Sequence, residues 1–397
     1  MNRNLKLKLI ISVFLLLSGC SNYMELNKIS FITGLGVDWT DKSNFKVTLQ
    51  VINPTDLATG QNGGGNSSPV ILYTSTGKTL SEAIREAGKK ITKNKDFTHV
   101  GLTVIGENAA KHGIEEIVDA IIREPRVSAF MSVLVAKNST AEQILNTMTP
   151  INKVSSAEMV SKIQSVNFSL GESVNPNVFE LGEDLTYSGK EIAISGVEIV
   201  NENKEKNTLS NLQTMEPAET KIDDLALFRG SKLVGWISGR DVRGILMVLD
   251  KIQQTNFAIP CGNNKYSSLR LHAQKIKSDV KVKGNIPIIN IDNTLLTLLD
   301  ETGCSINIES VQDLIKIEKQ AAKVVKHQIE HSIKSAQNYK SDVFGFGDMI
   351  HTHNPKMWKK MKSNWAEDFA NAKVNVKTTV IIKRSGLLGD PVIMKKK

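Results

Sequence analysis

The chain has 397 residues, of which 40% are hydrophobic and 23% charged, and a formal charge of +9. That balance is ordinary for packed globular domains and excludes intrinsic disorder, while the length exceeds what one hydrophobic core organises, so two or three domains are expected. Beyond the N-terminal leader no apolar run approaches the roughly 20 residues that a membrane-spanning helix requires, which excludes a channel or permease built of such helices.

At the N-terminus, Arg3, Lys6 and Lys8 precede an apolar stretch from Leu9 to Leu17 that is broken only by Ser12. A charged segment followed by a short apolar one is the pattern of a secretory signal. Leu17-Ser18-Gly19-Cys20 follows and resembles the bacterial lipobox. In that motif the Cys thiol is diacylated, the leader is cleaved and the new N-terminus is acylated. Residues 1–19 are therefore expected to be a signal peptide and Cys20 the lipid-attachment site, with cleavage behind Gly19. Each buried acyl methylene contributes about 0.8 kcal/mol, and one chain alone anchors only marginally, so several chains on one Cys hold a folded body durably at a bilayer. Subtracting Arg3, Lys6 and Lys8 of the leader from +9 leaves +6 on the mature chain, a balance suited to an anionic lipid surface. Lys395-Lys396-Lys397 reads as a solvated tail.

The mature chain opens with an apolar alternating stretch, Ile29 to Asp38, a polar turn from Thr40 to Asn44, and a second alternating run from Phe45 to Val51. The pair reads as a β-hairpin with one buried face. Gly34 and Gly36 lack the third glycine and the following helix of a dinucleotide-binding loop. Thr59 to Ser68 is glycine-rich and polar and reads as a surface loop. A helix is expected from Thr79 to Lys93, a strand from His99 to Gly106, and a helix from about Ala109 to Arg123 with Ile114, Ile117, Val118, Ile121 and Ile122 at helical spacing. Ser128 to Val135 reads as a strand. Thr140 to Thr147 reads as a helix with Thr140 as N-cap, three residues before Gln143.

Asn201 to Thr220 is rich in Asn, Glu and Lys and poor in large apolar residues, which marks a linker or exposed excursion over 199–222 between domains at 20–198 and 223–397. Beyond it, Leu225 to Ile237 reads as two strands around a glycine turn, and alternating runs continue between Leu269 and Leu299. A long helix follows from Ser310 to about Lys340, then a glycine-rich turn and a final strand from Val374 to Lys383. The expected fold class is α+β, multidomain, with mixed or antiparallel sheets packed against helices. Of the three cysteines, Cys261 and Cys304 remain once Cys20 is lipidated, and the sequence leaves open whether they pair or stay as thiols.

The long helix carries His327-Gln328-Ile329-Glu330-His331, which matches the H-x-x-E-H pattern of inverted zinc peptidases. At about 100° per residue, Val311, Leu314, Ile315, Ala322, Val325, Ile329 and Ile333 form one face and both histidines point away from it, so the pattern is read as a solvated surface. A catalytic zinc needs a cleft and a third protein ligand, and neither is evident. His351-Thr352-His353 is read as a turn without a fixed metal bite. No nucleophile, phosphate loop or carboxylate pair stands out, and no cofactor is expected.

Taken in order, several motifs resemble the Ger(x)C family of spore germination lipoproteins along nearly the whole mature chain. They are the lipobox; Gly34-Leu35-Gly36-Val37-Asp38; His99; Ile105 to Ile114; Arg123-Glu124; Val135-Ala136-Lys137; Phe228 to Trp236; Asp342-Val343-Phe344-Gly345-Phe346-Gly347; and Pro355, Trp358, Trp365 and Phe369. Where the family commonly has Trp after the lipidated Cys, this chain has Ser21, Asn22 and Tyr23. Phe344 and Phe346 are expected to pack beneath a tight turn allowed by the glycines, and Trp358 and Trp365, seven apart, to share one helical face. The resemblance implies a non-enzymatic, lipid-anchored subunit of a germinant receptor. It would act beside a polytopic permease-like subunit and a second membrane subunit at the outer face of the spore inner membrane, and would bind no nucleic acid. Two other classes fit a lipid-anchored export product: a solute-binding lipoprotein of an ABC importer, which requires two α/β lobes with parallel sheets, and a zinc-dependent hydrolase built on His327, Glu330 and His331.

Overall fold

In a computed structural model of the protein the described residues are 28–52, 68–149, 151–187, 189–201, 208–212, 216–262, 264–284, 286–304 and 310–384. Cys20 with its lipobox, nearly all of the Thr59–Ser68 loop and Lys395–Lys397 lie outside them.

The N-terminal elements are β1 (Ile29–Trp39), β2 (Phe45–Ile52), β3 (Val70–Gly77), α1 (Leu80–Gly88), β4 (Asn94–Asp96), β5 (Leu102–Ile105), α2 (Glu107–His112), α3 (Glu115–Ile122), β6 (Ser132–Ala136), α4 (Ala141–Leu145), α5 (Ser155–Leu170), α6 (Val178–Thr186) and β7 (Ala193–Val200). After a short 3-10 turn at Leu209–Leu212 come β8 (Glu219–Arg229), β9 (Lys232–Ile237), α7 (Gly239–Val248), β10 (Asn256–Pro260), β11 (Tyr266–Lys283), β12 (Ile286–Thr302), α8 (Val311–Asn338), α9 (Phe346–His353), α10 (Pro355–Met361), α11 (Trp365–Ala370) and β13 (Lys373–Arg384). The fold is α+β with two sheets, as expected.

The larger sheet runs β3-β2-β1-β5-β6-β7-β8-β9, with β4 paired to β1. Its middle, β1 to β7, is parallel, and its two flanks are antiparallel. The period of two sorts each central strand between two cores. Val133 and Val135 of β6 face a core with α1, α2, α3 and α6, whereas Leu134 and Ala136 face a second core with α4 and α5. This sheet crosses the 199–222 segment, since β7 pairs with β8 and β8 with β9, and so residues 219–237 share a sheet with residues 29–200.

The Gly34-to-Asp38 motif has a packing explanation. A Cβ at Gly34 would lie 3.0 Å from the Ser156 Cβ, and one at Gly36 would lie 3.0 Å from the Leu145 side chain, so bare glycines let α4 and α5 press onto β1. Asp38 then closes the N-terminus of α4: Ala141 N–H donates to its Oδ1 at 2.8 Å and Glu142 N–H to its Oδ2 at 3.2 Å. Thr140 and Gln143 complete the expected capping box.

The smaller sheet, β10-β11-β12-β13, is antiparallel except for the parallel β12–β13 pair, and α8 lies across it. Its core joins Ile317, Val325, Ile329 and Ile333 of α8 to Leu269, Ile289, Ile291, Leu295, Val376 and Val380. The buried stripe of α8 begins later than the sequence suggests, because Val311 is 66% exposed and Ile317 is the first fully buried residue. Cys261 and Cys304 form a disulfide with a Cα–Cα distance of 6.0 Å, tying the β10–β11 connection to the end of β12.

Four expectations need correction. The helix expected over Ala109–Arg123 is two helices, because Gly113 adopts φ +140° and breaks the chain between them. The glycine-rich turn after α8 leads into three short helices, α9 to α11, rather than directly into a strand. Trp358 and Trp365 do not share one helical face but sit on α10 and α11, with ring centroids 5.7 Å apart at 70° in edge-to-face contact. His351 and His353 lie in the last turn of α9, not in a loop.

Candidate functional site

The H-x-x-E-H pattern sits where the sequence places it, on the exposed side of α8. His331 Nδ1 lies 2.9 Å from Asp241 Oδ1 of α7, Glu330 pairs with Lys326 at 3.7 Å, and the His327 and His331 rings are 6.3 Å apart. The spacing that looks catalytic in sequence thus serves a surface ion pair and a helix-to-helix hydrogen bond. Among the described residues no group of three or more His, Cys, Asp or Glu side chains is placed to hold a metal ion.

The motifs singled out in the C-terminal half converge elsewhere, at the seam where the end of α8 and the start of α9 dock onto the larger sheet. Gly235 of β9 faces the Tyr339 ring, and a Cβ there would overlap it. Two residues on, the Ser341 hydroxyl donates to the carbonyl of Phe228 in β8. Asp342 follows. Its carbonyl accepts from Glu191 N–H at 2.9 Å, immediately before β7. Next, Gly189 O accepts from Asp348 N–H at 3.0 Å. The β8–β9 hairpin and the Asp342-to-Gly347 segment, far apart in sequence, therefore form the two sides of one joint.

Asp342 is the centre of that joint and is 1% exposed. Its carboxylate accepts from Phe346 N–H at 3.2 Å, Gly347 N–H at 2.8 Å and Trp365 Nε1–H at 3.0 Å. These bonds favour the ionised form, yet burial outweighs them and raises its pKa from 3.8 to about 6. Gly347 is glycine because the Trp365 indole passes over it; a Cβ would fall 2.6 Å from Nε1 and 2.8 Å from Gly189 O. Gly345, at φ +76°, turns the chain so that Phe344 and Phe346 stack 5.1 Å apart, both buried, as expected.

Glu191 completes the seam and was not singled out from sequence. Its Oε2 accepts from Gly230 N–H at 2.6 Å, in the β8–β9 turn. Burial, with the nearby Asp342 charge adding to it, raises its pKa from 4.5 to about 7. No local signal marks Glu191, since its partners lie 39 and 151 residues away in sequence. Beside it opens a polar cleft of about 590 Å³ between α6 and α7, where Lys190 pairs with Asp184 at 2.8 Å. The hydrogen bonds of Glu191 and Asp342 tie the two layers together at this seam. On the opposite side of the larger sheet from α5, Phe130 and Phe179 are 76% and 46% exposed with ring centroids 6.2 Å apart, an apolar surface beside the 42% exposed Ile122.

The described fold and seam define a two-sheet α+β protein whose motifs serve its own internal joint. Comparison with known proteins gives the family. Residues 22–199 match the model of the spore germination protein N-terminal domain, and residues 223–386 match the spore germination B3/GerAC-like C-terminal model. Spore germination protein KC of Bacillus subtilis (strain 168) is 29% identical, with 97% of this chain and 98% of that protein covered. GerQC of Bacillus cereus and spore germination protein B3 of Bacillus subtilis (strain 168) are each 21% identical over almost their full lengths. The crystal structure of the GerBC protein matches with a TM-score of 0.56 and 20% identity, covering 91% of this chain and all of that one, and so shares the fold. The chain belongs to the Ger(x)C family of spore germination proteins.

Proposed function

We propose that the protein is a non-enzymatic, lipid-anchored subunit of a spore germinant receptor. In this reading Cys20, freed by cleavage behind Gly19, carries diacylglycerol and N-acyl chains and holds the body at the outer face of the spore inner membrane. The body acts beside a polytopic permease-like subunit and a second membrane subunit, and assembles or stabilises the receptor. The observation that carries the reading is the order of the two family matches, 22–199 then 223–386, together with end-to-end similarity to proteins named for spore germination. The same bounds support a division near 199–222 between the 20–198 and 223–397 parts, although β8 and β9 of the second part complete the larger sheet of the first.

The leader and lipobox support the anchor, because no helix among the described residues is long and apolar enough to cross a membrane. A role exercised through contact fits the exposed Phe130–Phe179 surface. The importer reading requires two lobes with parallel sheets, whereas the smaller sheet here is mainly antiparallel and the larger one is mixed. The hydrolase reading requires His327, Glu330 and His331 in a cleft, and they lie on an exposed helix face bound to Lys326 and Asp241. Deletion of the gene tests the proposal: the expected result is loss of one nutrient response with lysozyme-induced lysis of decoated spores intact. Normal germination to every nutrient, in a strain with no redundant receptor, would contradict it.

A further inference from the structure

The positive charge of this protein is not spread evenly. β11, β12, β13 and the turn between the first two carry nine Lys or Arg against four Asp or Glu, a net +5, against +6 for the whole chain from Cys20 onward. One face of this sheet packs on α8; the other is open. On the open face the strand register aligns Lys281 with Ile288 and Lys373, and Lys277 with Asp292 and Lys377. Lys275 and Lys283 extend the array along β11, over about 27 Å at the rise of an extended strand.

The chain leaves much of this charge uncompensated. Lys377 approaches Asp292 at 3.4 Å and Lys281 approaches Asp279 at 3.9 Å. Among the described residues no carboxylate comes within 4.0 Å of Lys275, Lys277, Lys283 or Lys373, all of which are exposed. At the hairpin tip the face is apolar, with Ile286 45% exposed and Ile288 half-buried, and the next row, Asp279, Asn290 and Asn375, is polar.

We propose that this face, the hairpin half of the C-terminal sheet, lies against a layer of anionic lipid headgroups. The choice of lipid over an acidic protein segment rests on the residue types. Every cation in the patch is a lysine, a point charge on a flexible stem that follows diffuse, mobile anions. The arginine forks and aromatic anchors that concentrate affinity in protein interfaces are absent from it. Lysine stems flanking isoleucines let the apolar atoms sit low while the ammonium groups reach the headgroups. The inference rests on the membrane-anchored reading for its biological setting, although the contact itself is independent of Cys20.

The test uses the full mature chain with Cys20→Ser, so that no acyl chain contributes, and vesicles of phosphatidylcholine with or without phosphatidylglycerol. The expected result is salt-sensitive binding to the anionic vesicles alone. It should weaken by more than about 1000-fold when Lys275, Lys277, Lys283 and Lys373 are all changed to Glu, because loss of four lysines at about 1 kcal/mol each already gives roughly 1000-fold at an anionic surface and reversal adds repulsion. The milder Lys→Gln set, which removes the four charges without reversing them, should weaken it by roughly 1000-fold. A control that reverses the exposed Lys42, Lys89, Lys232 and Lys359 makes the same change in net charge and should weaken binding far less. Absence of binding, or equal losses in both reversed sets, overturns the proposal. If vesicles are not bound while the face reversal lowers recovery of membrane subunits, the face is a protein dock and the lipid assignment is wrong. All arms lack the anchor, so their failure does not bear on acylation of Cys20, which acyl labelling of the unaltered protein reads separately.

Discussion

The backbone N–H of Glu191 donates to the carbonyl of Asp342 at 2.9 Å, and the carboxyl groups of the same two residues are close enough that the Asp342 charge adds to burial in holding Glu191 protonated. Two acids that face a shared interior from different layers make the joint between the sheets sensitive to pH. Both folded-state pKa values lie above the ordinary carboxylate range, at about 7 and about 6. Between the unfolded values and these, the folded protein binds more protons than the unfolded chain, so stability contributed at acid pH is lost as pH rises through about 4 to 7.

Glu191→Gln should therefore stabilise the protein at pH above 7 by about 3 kcal/mol and flatten the pH dependence between acid and neutral conditions, at roughly 1.4 kcal/mol per pKa unit. Asp342→Asn should do the opposite. Its amide presents donors to at least one of the three N–H groups that the carboxylate accepts, costing about 1–3 kcal/mol. Denaturant midpoints in mildly acidic and mildly alkaline buffer separate the two outcomes; stabilisation by Asp342→Asn would contradict the role of its three N–H donors, and additivity in the double variant would show that the carboxylates are not coupled.

The seam glycines should differ sharply from the turn glycine. Gly235→Ala drives a methyl into the Tyr339 ring and Gly347→Ala drives one against Trp365 and Gly189, so each is expected to cost about 1–3 kcal/mol. Gly230, at φ +59° with open space around its Cβ position, should accept Asn at a cost below about 1 kcal/mol. Thermal midpoints of the three variants check the ranking.

Much of this architecture is legible in sequence where the signal is local. The β1–β2 hairpin, the Thr140 capping box, the β8–β9 turn and α8 follow from period, cap and turn chemistry. The segment that forms α5, α6 and β7 escaped, because α5 buries only a few apolar side chains, such as Met159 and Ile163, among many serines and leaves no clear stripe. Helices α9 to α11 escaped for a different reason. They have six to eight residues each, too short to show a period, and are held by tertiary contacts such as Trp365 to Asp342. The seam itself was half legible: its glycine and aromatic motifs stood out singly, but their meeting and the role of Glu191 are properties of three-dimensional contact.

Removal of the Cys261–Cys304 disulfide by paired Ser substitutions should cost about 2–4 kcal/mol, because it closes a loop across 43 residues. The loss is expected to fall on the smaller sheet, with hydrogen exchange rising in β10 and the ends of β11 and β12, while the larger sheet keeps its protection. Thiol titration of the unreduced, unfolded Cys20→Ser protein should find no free thiol.

His327→Ala and His331→Ala should each change stability by less than about 1 kcal/mol, as expected of exposed polar contacts. Neither should alter the metal content of the purified protein. Stoichiometric zinc lost in His327→Ala would revive the hydrolase reading.

The central claim is that the protein acts as a membrane-anchored receptor subunit, and its most direct test is recovery of the lipidated protein from detergent-solubilised spore membranes. Mass spectrometry then identifies its companions, with a Cys20→Ala variant as control. A polytopic permease-like protein that accompanies the native chain and diminishes in the control is the result expected. Components of an ABC transporter in its place would contradict the receptor assignment.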